Sequence, residues 1–506
     1  MKHLFHFRSL SARCALALAL AIFGGVALST SASAQDKPSP EKSLMRVNAT
    51  LQSYNFLRPW EKSAPTPRRG LGAVLSDNRV LVTAELIVNS TYIELEHPAT
   101  GEKTPAEIIG RDYEANLALL APVDKNSTIM NGLVALELDT SVKPKDTLEV
   151  WQMEDNGDGV STTVDVLRVA TNRYFIDSAV FLVYQTVGSL QARANSFTLP
   201  VIKNGKLAGM LLSYNAKEEI SQILAGPIIG AFLKDLEDGD YQGFPTLGIA
   251  FDQTLDDQLR RFARIDDNEG GIFVTSVQKD SSAAKAGIKT GDVILSIAGQ
   301  AIDSRGNYVH PEYGKLNFGH LVRGGAEVGD TVKMDIIRDG EASVVEVKLE
   351  RKAPDEYLID AYMFDRGPRY LIMGGLIFQE LTLPYLESWG ENWDTRAPFK
   401  LVHANAHPEQ YEEEGREKLV FLSQVLRTPS TLGYEELSSV IVTEVNGKPI
   451  NDISDLAEAF KEPDGKGLHK IEFSDFPRVI YINDRMSRAV NQQLVQYGIN
   501  QMEKLD

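Results

Sequence analysis

Residues 270–302 read GGIFVTSVQKDSSAAKAGIKTGDVILSIAGQAI. The opening GGIFVTSV alternates apolar and polar side chains after two glycines, which predicts a half-buried strand. Asp280, Ser281 and Ser282 are suitable N-cap residues for the Ala/Lys helical turn that follows, and Gly287 can end that turn. The turn KTGD then leads into the apolar run VILSI. The stretch therefore predicts a strand, a short helix, a tight turn and a buried strand, in that order.

Part of this pattern occurs a second time. GGLIFQELT, from Gly374, matches GGIFVTSVQ, and SSVIVTEVNGKPI, ending at Ile450, matches GDVILSIAGQAI. An Asn-Gly turn signal lies at residues 446–447, and DISDLAEAF after it predicts a capped amphipathic helix. The chain therefore contains two copies of one module. The second copy carries an insertion over residues 383–436, in which we interpret three aromatic residues as a small separate core: Tyr385, Trp389 and Trp393.

The length and charge of the chain limit its function. Its 506 residues are 43% hydrophobic and 24% charged, which suffices for three or more globular domains. With 70 acidic and 52 basic residues, the net charge is −18 at pH 7. A protein this acidic is a poor partner for nucleic acid or for an anionic membrane surface, so we predict neither as a partner.

Residues 1–34 have the features of a cleavable secretory signal peptide. Three basic residues precede an apolar run over residues 15–28, and an A-S-A cleavage site ends at Ala34. The apolar run is too short to predict a lasting membrane span. The single cysteine, Cys14, lies inside this segment, so the mature chain would have no disulfide and no thiol. We predict cleavage after Ala34 and a periplasmic protein.

Changes in pattern divide the rest of the chain. Between residues 47 and 236, short apolar runs alternate with turn residues, which predicts many short strands, as in a sandwich or a pair of barrels. One helix, PIIGAFLKDL, is predicted to close this region. The predicted order is a polar linker at 35–46, the all-β domain at 47–236, the first module at 243–352, the second module with its insertion at 366–485, and a polar, partly helical tail at 486–506.

These patterns resemble a known family. The run AGIKTGDVILSIAG resembles a PDZ domain of HtrA/Deg proteins, and an all-β region followed by two such modules resembles the whole HtrA/Deg family of trypsin-fold serine proteases. The runs YLIMGGLIFQELTLPYL, VFLSQVL and LGYEEL resemble the second, atypical PDZ domain of the plant Deg branch. The resemblance implies a mainly β chain, with a trypsin-like double β-barrel followed by two PDZ domains.

Within the all-β region, the resemblance locates the three slots of the catalytic triad. The base slot lies in LVTAELI and holds Glu85 instead of histidine, and the orienting slot lies in NLALL and holds Asn116 instead of aspartate. The nucleophile slot lies in ANSFTL, where an ungapped alignment places Ser196 and an alignment anchored on Pro200 places Phe197. Neither alignment restores the glycines of the family motif.

These replacements predict a pseudoprotease. A serine hydroxyl needs a base with a pKa near 7, and an unperturbed glutamate at ~4.3 is about two units less basic than histidine at ~6.5. Phe197 and Thr198 replace glycines, and their side chains disfavour the positive-φ backbone that aims N–H groups at an oxyanion. His97, which is the only histidine between residues 47 and 236, we interpret as an exposed residue of a hairpin turn. An active serine endopeptidase that uses Ser196 is the alternative, and a purely structural oligomer subunit is a third possibility.

Glu85 and Asn116 also make chemical sense as a pair. An aspartate beside Glu85 would bring two carboxylates together, whereas a neutral asparagine can donate a hydrogen bond. We therefore hypothesise that the pair has become structural, and a separation of more than about 6 Å between the two side chains would contradict this. The alternative is that the two residues changed independently and do not touch.

The resemblance assigns peptide binding to the PDZ modules. Such domains add an extended peptide to a sheet edge and hold its carboxylate on backbone N–H groups. The corresponding run here is GFPTLGI at residues 243–249, with a facing helix expected over residues 313–323. The alternative is that LGIAF is a core strand in a domain with a closed groove. The candidate peptide-binding residues are Phe244, Thr246, Leu247, Gly248 and Ile249 in the loop, and Leu316, His320 and Leu321 on the helix.

We therefore expect a protein that binds extended or misfolded polypeptides or protein C-termini, in protein quality control or as a scaffold. The resemblance implies a homo-oligomer based on trimers, and the aromatic run YNFLRPW at residues 54–60 could pack between subunits or cap its own barrel. We predict no cofactor and no metal. The calcium-loop-like run at 154–159 fits a polar hairpin loop better, and His403 and His407 lack a surrounding H-E-x-x-H motif.

Overall fold

The computed structural model describes residues 40–154, 156–191, 198–266 and 269–506. The predicted signal peptide, Ser196 and Phe197 lie outside the described residues. Across the described ranges, no helix has both the length and the apolar character needed to cross a membrane.

Two closed antiparallel barrels of six strands form the all-β region. The first barrel contains β1 (Leu44–Leu51), β2 (Thr66–Leu75), β3 (Arg79–Val82), β4 (Ser90–Glu96), β5 (Lys103–Asp112) and β6 (Leu117–Pro122). The second barrel contains β7 (Thr147–Met153), β8 (Gly159–Tyr174), β9 (Ile176–Val187), β10 (Leu199–Lys203), β11 (Lys206–Asn215) and β12 (Ile220–Ala225).

The strand order is the same in both barrels. The first runs β1-β2-β3-β6-β5-β4, and the second, started at its own first strand, runs β7-β8-β9-β12-β11-β10. Each closes on itself. Strand β5 alternates exposed and half-buried side chains along most of its length, as a strand does when only one face lines a barrel interior. The predicted closing helix is confirmed as α1 (Gly226–Asp235).

The first module is a five-stranded antiparallel sheet with two short additions. Its order is β13-β14-β15-β19-β20, with β16 paired to β15 and a separate hairpin of β17 and β18. Ser281 caps the short helix by accepting from the N–H of Ala284, and Gly287 follows it at φ +79°, so the predicted cap and stop are confirmed. The elements are β13 (Ile249–Gln253), α2 (Asp257–Ala263), β14 (Ile272–Val277), α3 (Ser282–Lys285), β15 (Val293–Ile297), β16 (Gln300–Ala301), β17 (Asn307–His310), β18 (Gly314–Asn317), β19 (Thr331–Arg338) and β20 (Glu341–Lys348).

The second module repeats this plan with an inserted set of helices. Its strands are β21 (Tyr370–Met373), β22 (Leu376–Glu380), β23 (Val420–Val425), β24 (Val440–Val445), β25 (Lys448–Pro449), β26 (Leu468–Phe473), β27 (Val479–Asn483) and β28 (Glu503–Lys504). Its helices are α4 (Leu383–Glu387), α5 (Trp393–Arg396), α6 (Phe399–Ala406), α7 (Glu409–Glu412), α8 (Ile453–Ala459) and α9 (Asp484–Leu494).

The sheet of the second module runs β27-β26-β24-β23-β22-β21-β28, with β25 paired to β24. The predicted turn at Asn446-Gly447 joins β24 to β25, and Asp452 caps α8, so both predictions are confirmed. Tyr385 is buried in a separate small core of the insertion and Trp393 packs against it, whereas Trp389 is 39% exposed.

The hydrophobic cores show which parts of the chain pack together. One continuous core runs through both barrels and the first module, while the second module has its own core and two smaller clusters. Phe244, just before the first module, packs edge-on against Phe181 of β9 with ring centroids 4.8 Å apart. The first module is therefore fixed to the second barrel by buried apolar contact.

The structure moves two predicted boundaries. The linker predicted at 35–46 ends early, because a 3₁₀ turn occupies Pro40–Ser43 and β1 begins at Leu44, where Leu44 and Met45 are fully buried. The tail predicted at 486–506 is not separate from the second module. Its helix α9 begins at Asp484, and β28 joins the sheet of that module.

The aromatic run at residues 54–60 contacts the second module of its own chain rather than capping its own barrel. Phe56 and Trp60 pack against two different clusters of the second module, and the carbonyl of Leu57 accepts from Gln424 at 2.9 Å. The ring of Tyr54 approaches Gly367 so closely that a Cβ there would lie 2.5 Å from a ring carbon. This run therefore joins the first barrel to the second module within one chain, because burial there removes its apolar surface from water.

Candidate functional site

Glu85 and Asn116, which occupy the base and orienting slots, are in direct contact. The backbone N–H of Glu85 donates to Oδ1 of Asn116 at 2.8 Å, and Nδ2 of Asn116 donates to Oε2 of Glu85 at 3.3 Å. Asn116 is only 1% exposed and has φ +54°, a left-handed conformation that asparagine tolerates better than most residues. The predicted contact is present, and both polar ends of the asparagine side chain are engaged.

Two further residues hold Glu85. Tyr174, at the end of β8, donates its hydroxyl to Oε2 of Glu85 at 2.8 Å, and Arg68 donates to the carbonyl of Glu85 at 2.5 Å. Burial, followed by the charge of Glu85 and the hydrogen bond to it, raises the pKa of Tyr174 well above its usual range, so the phenol stays protonated. The carboxylate of Glu85 is therefore an acceptor in a fixed network. Sequence reasoning missed Tyr174, because no local pattern links it to a residue 89 positions away.

The nucleophile segment is described only from Thr198 onward. Thr198 has φ +54°, which is costly for a β-branched residue. Its hydroxyl donates to the carbonyl of Leu71 at 2.8 Å, and its own carbonyl accepts from the N–H of Leu71 at 3.3 Å. Thr198 therefore adopts the positive-φ backbone that its side chain disfavours. Its two hydrogen bonds with Leu71 of β2 stabilise that conformation.

His97 is not the exposed histidine that we predicted. It does lie in the turn between β4 and β5, but it is only 7% exposed. Its Nδ1 accepts from the N–H groups of Ala99 and Thr100, and its Nε2 lies 3.3 Å from the carbonyl of Asn131. The ring is buried because it satisfies the turn's own backbone groups, so His97 organises the hairpin rather than acting as a base.

The loop before β13 has the arrangement expected of a carboxylate-binding loop. Three successive carbonyls accept hydrogen bonds: that of Thr246 from Ser282, that of Leu247 from the N–H of Ala283, and that of Gly248 from the N–H of Gln278. In contrast, the N–H groups of Leu247 and Gly248 donate to no acceptor in the described part of the chain. Gly248 has φ +71°, and a Cβ there would lie 2.3 Å from Cβ of Ser281, so this position requires glycine.

Strand β13 forms the edge of the first module's sheet. It pairs with β14 on one side, and no described strand pairs with its other side. Leu247 is buried, Thr246 and Ile249 are half-buried, and Phe244 is buried against the second barrel, where a peptide cannot reach it. The edge and the two unpaired N–H groups next to it are therefore the part of the predicted peptide site that remains accessible.

The facing helix predicted at 313–323 is wrong. Strand β18 occupies Gly314–Asn317 and pairs with β17, and only one 3₁₀ turn, Phe318–Leu321, follows. Leu316 is 1% exposed and belongs to the core shared with the barrels, and Leu321 packs against that core. Tyr308 on β17 pairs with Leu316, so the local hairpin pairing prevails over the apolar spacing that suggested a helix.

His320 has a packing role rather than a ligand-binding one. Its Nδ1 lies 2.7 Å from the hydroxyl of Tyr308, and the two rings are stacked with centroids 6.2 Å apart. Burial, with a smaller contribution from His310, lowers the pKa of His320 to about 4, so the ring is neutral at pH 7. Phe318, rather than His320, packs against β13. The centroid of its ring lies 4.9 Å from that of Phe251.

The corresponding edge of the second module is occupied. Strand β22 holds the position of β13, because it pairs with β23 next to β24 as β13 pairs with β14 next to β15. Its other side is paired with β21, and β21 in turn pairs with β28, with Tyr370 opposite Lys504. The chain thus supplies β21 where an extended peptide would add to β22, and β28 extends the sheet by one more strand.

A buried ionic network connects the first barrel to the first module. Glu114 lies 3.3 Å from Arg323, and Asp112 accepts from the hydroxyl of Tyr241 at 2.6 Å and lies 3.9 Å from Arg351. Burial raises the pKa of Glu114, and the charge of Arg323 opposes that rise. Asp112 and Glu114 lie on the β5–β6 hairpin that also carries Asn116. The network therefore ties the hairpin with the orienting slot to the first module.

Two family models match the modules. Both are described as PDZ domain, one over residues 245–349 and the other over residues 359–504. The chain is 26% identical over 461 residues to "Protease Do-like 2, chloroplastic" of Arabidopsis thaliana, which covers 90% of this chain and 74% of that protein. It is 25% identical over 419 residues to "Protease Do-like 4, mitochondrial" of the same plant, covering 82% and 76% respectively.

Other similarities are more distant. "Periplasmic serine endoprotease DegP" of Salmonella typhimurium is 26% identical over 294 residues, which cover 56% of each chain. Among solved structures, "HtrA-type protease AlgW with decapeptide" matches 62% of this chain and 97% of its own, with 16% identity and a TM-score of 0.46.

Proposed function

This chain belongs to the HtrA/Deg family of protease–PDZ proteins, and we propose that it binds extended polypeptides at its first PDZ domain without hydrolysing them. In this proposal the protein is a pseudoprotease that serves in protein quality control or as a scaffold. The observation that carries the proposal is the unpaired edge of β13, beside which the N–H groups of Leu247 and Gly248 have no acceptor within the described residues.

The chemistry of this edge suits a peptide C-terminus. Two neighbouring N–H groups without acceptors provide donors for a carboxylate, and the unpaired side of β13 offers backbone groups to an incoming strand. The apolar side chains of Leu247 and Ile249 flank the loop. The second PDZ domain contributes no such edge while β21 is paired with β22, so we assign peptide binding to the first domain alone.

The absence of hydrolysis is proposed from the base slot. The slot holds a carboxylate instead of an imidazole, and its Oε2 already accepts hydrogen bonds from Asn116 and Tyr174. Loss of a triad acting as a unit costs on the order of a millionfold in kcat in a measured protease. The polypeptide segment that would attack, residues 192–197, lies outside the described residues.

We also propose that the protein acts in the periplasm and forms a homo-oligomer based on trimers. The first proposal rests on the signal-like sequence of residues 1–34 and the second on the family alone. Phe56 and Trp60 of the aromatic run at 54–60 already contact the second PDZ domain of their own chain, so a subunit contact by this run would use its exposed residues, such as Leu57. Light scattering of the purified protein tests the trimer.

The binding experiment uses decapeptides with three randomised apolar C-terminal residues and their C-terminal amides. We expect the free acids to bind by fluorescence anisotropy and the amides to bind at least tenfold more weakly. Gly248→Asp should abolish binding, because it fills the loop and adds a negative charge. Gly299→Asp is the matched control, since Gly299 also has positive φ but has open space around it. Equal binding of acids and amides would contradict the proposal.

The hydrolysis experiment incubates the protein with β-casein and with a fluorophosphonate probe. We expect intact casein and no labelling. If labelling and cleavage occur and both disappear in Ser196→Ala, the protein is an active serine endopeptidase and the pseudoprotease proposal is wrong.

A further inference from the structure

The segment between the two PDZ domains lies against both barrels. Residues 362–367, YMFDRG, form what we call the strap. The strap is held on the first barrel by Asn89 and Tyr113, and on the second by Phe175 in the turn between β8 and β9. On the first barrel the strap thus contacts the loops that also carry Glu85 and Asn116, and on the second it contacts the residue next to Tyr174.

The aromatic residue of the strap, Phe364, packs on two rings of the barrels and on one ring of the strap itself. The ring of Phe364 lies 4.7 Å from that of Tyr113, and it stacks on Phe175 at 5.1 Å with an angle of 19° between the planes. Tyr362, within the strap, stacks on the other side at 5.2 Å. Such offset and tilted contacts favour an aromatic side chain over an aliphatic one of similar size.

The next residue, Asp365, is recognised through its side chain and its backbone. Its carboxylate accepts from the backbone N–H of Asn89 at 2.7 Å and from the hydroxyl of Tyr113, and it pairs with Arg111 at 2.8 Å. Its own N–H donates to Oδ1 of Asn89 at 2.7 Å. A carboxylate with three donors and a reciprocal backbone contact indicates selection of an acidic residue at this position.

The barrel residues around Phe364 adjoin the triad slots. Phe175 follows Tyr174, whose hydroxyl binds Glu85, and the carbonyl of Tyr113 accepts from the N–H of Asn116 at 3.4 Å. We propose that Asn89, Arg111, Tyr113 and Phe175 form a recognition site for an extended polypeptide segment with an aromatic residue followed by an acidic one. The strap is its resident occupant, and a segment of another polypeptide with the same pair binds there when the strap is released.

The strap keeps this site filled in the wild type because it is part of the same chain. A segment tethered in the same chain competes at an effective concentration in the mM range, on the order expected for short linkers. A free peptide in the micromolar range therefore fails to displace it in the wild type. When the two recognised side chains of the strap are removed, the site opens to a peptide in trans.

The experiment uses a labelled, end-capped peptide of residues 360–368, DAYMFDRGP, and a control in which Phe and Asp are exchanged, DAYMDFRGP. The full-length variant Phe364→Ser with Asp365→Ser should bind the first peptide saturably and at least tenfold more tightly than the wild type does. It should bind the exchanged peptide at least tenfold more weakly than the first. Adding Arg111→Gln to the variant should weaken binding of the first peptide.

A second variant and a second measurement distinguish recognition of the peptide from simple packing of the strap. If the strap variant folds poorly, Asp365→Asn, which keeps the side-chain volume, replaces it in the same measurement. The native peptide, and not the exchanged one, should also raise the thermal unfolding midpoint of the variant. Absence of binding to both variants, or equal binding of the two peptides, would overturn the proposal. Because the peptide is capped at its C-terminus, binding at the β13 edge cannot account for a positive result.

Discussion

The hydroxyl of Tyr174 donates a hydrogen bond to the carboxylate of Glu85 at 2.8 Å, which ties the turn between β8 and β9 to the base slot of the first barrel. The carboxylate thereby joins the two barrels across the cleft that lies between them. A cavity of about 190 Å³ remains beside these two residues. Glu85, in the base slot, therefore contributes to the contact between the barrels.

Tyr174→Phe should destabilise the protein. The substitution removes one hydrogen bond to a charged acceptor, so we expect the free energy of unfolding to fall by about 1–2 kcal/mol. Urea unfolding followed by tryptophan fluorescence measures this. Tyr497→Phe is the matched control, because Tyr497 is 82% exposed, and it should change stability by less than about 0.5 kcal/mol. An unchanged midpoint for Tyr174→Phe would show that the contact contributes nothing to stability.

Arg323→Met should lower the free energy of unfolding by more than removal of both charges of the Glu114–Arg323 pair does. Both side chains of the Glu114–Arg323 pair are at most 14% exposed, so removing the arginine leaves a buried carboxylate without its cation. We expect a loss of about 3 kcal/mol. Glu114→Gln combined with Arg323→Met removes both charges and should restore at least half of that loss. A double variant as unstable as Arg323→Met, by the same urea titration, would argue against a coupled pair.

His320 should make stability depend on pH in the acidic range. Its folded pKa of about 4 lies below the unfolded value of about 6.5, so the unfolded chain binds the proton more readily between those values. Stability should therefore be complete above about pH 6.5 and fall as the pH drops towards 4, by about 3 kcal/mol. His310 and Tyr308 are the polar neighbours of the ring.

The check is the difference in unfolding midpoint between the wild type and His320→Gln at pH 4.5 and pH 7. The substitution should cost stability at pH 7 and cost less at pH 4.5. Gln496→Asn, at an exposed position with no titrating group, is the control, and its effect should be the same at both pH values. A constant difference for His320→Gln would contradict the lowered pKa.

Removal of residues 500–506 should leave the number of peptide-binding edges unchanged. The truncation deletes β28 and keeps Ile499, but β21 still covers β22, which holds the position of β13. We expect one bound C-terminal peptide per chain in calorimetry, as in the full-length protein. Gly248→Asp in the truncated background should leave none. A stoichiometry of two in the truncated chain would mean that β28, and not β21, closes the edge of the second domain.

Local signals in the sequence predicted the parts of the fold that depend on neighbours in the chain. The cap at Ser281, the stop at Gly287 and the turn at Asn446 each depend on a few adjacent residues, and each is present. The contact of Glu85 with Asn116 was also predictable, because alignment to the family fixed where the slots lie.

The errors concern pairings between distant residues or a choice between two local structures. Leu316 and His320 have helical spacing, but the hairpin of β17 and β18 places Leu316 opposite Tyr308. Tyr174, Asp365 and the two residues of β28 act through partners far away in the chain, and nothing in their immediate sequence specifies those partners. Burial of His97 depends on Asn131, which is 34 residues away.

The pairing of β28 with β21 also sets when the protein can finish folding. Tyr370 must wait for Lys504, so this edge of the second PDZ domain stays open while about 130 further residues are synthesised. The ammonium group of Lys504 lies 5.3 Å from the ring centre of Tyr54, which leads into the second strand of the first barrel. A nascent chain therefore keeps this edge exposed until Lys504 has been added. A chaperone that meets the nascent chain has that whole interval in which to bind it.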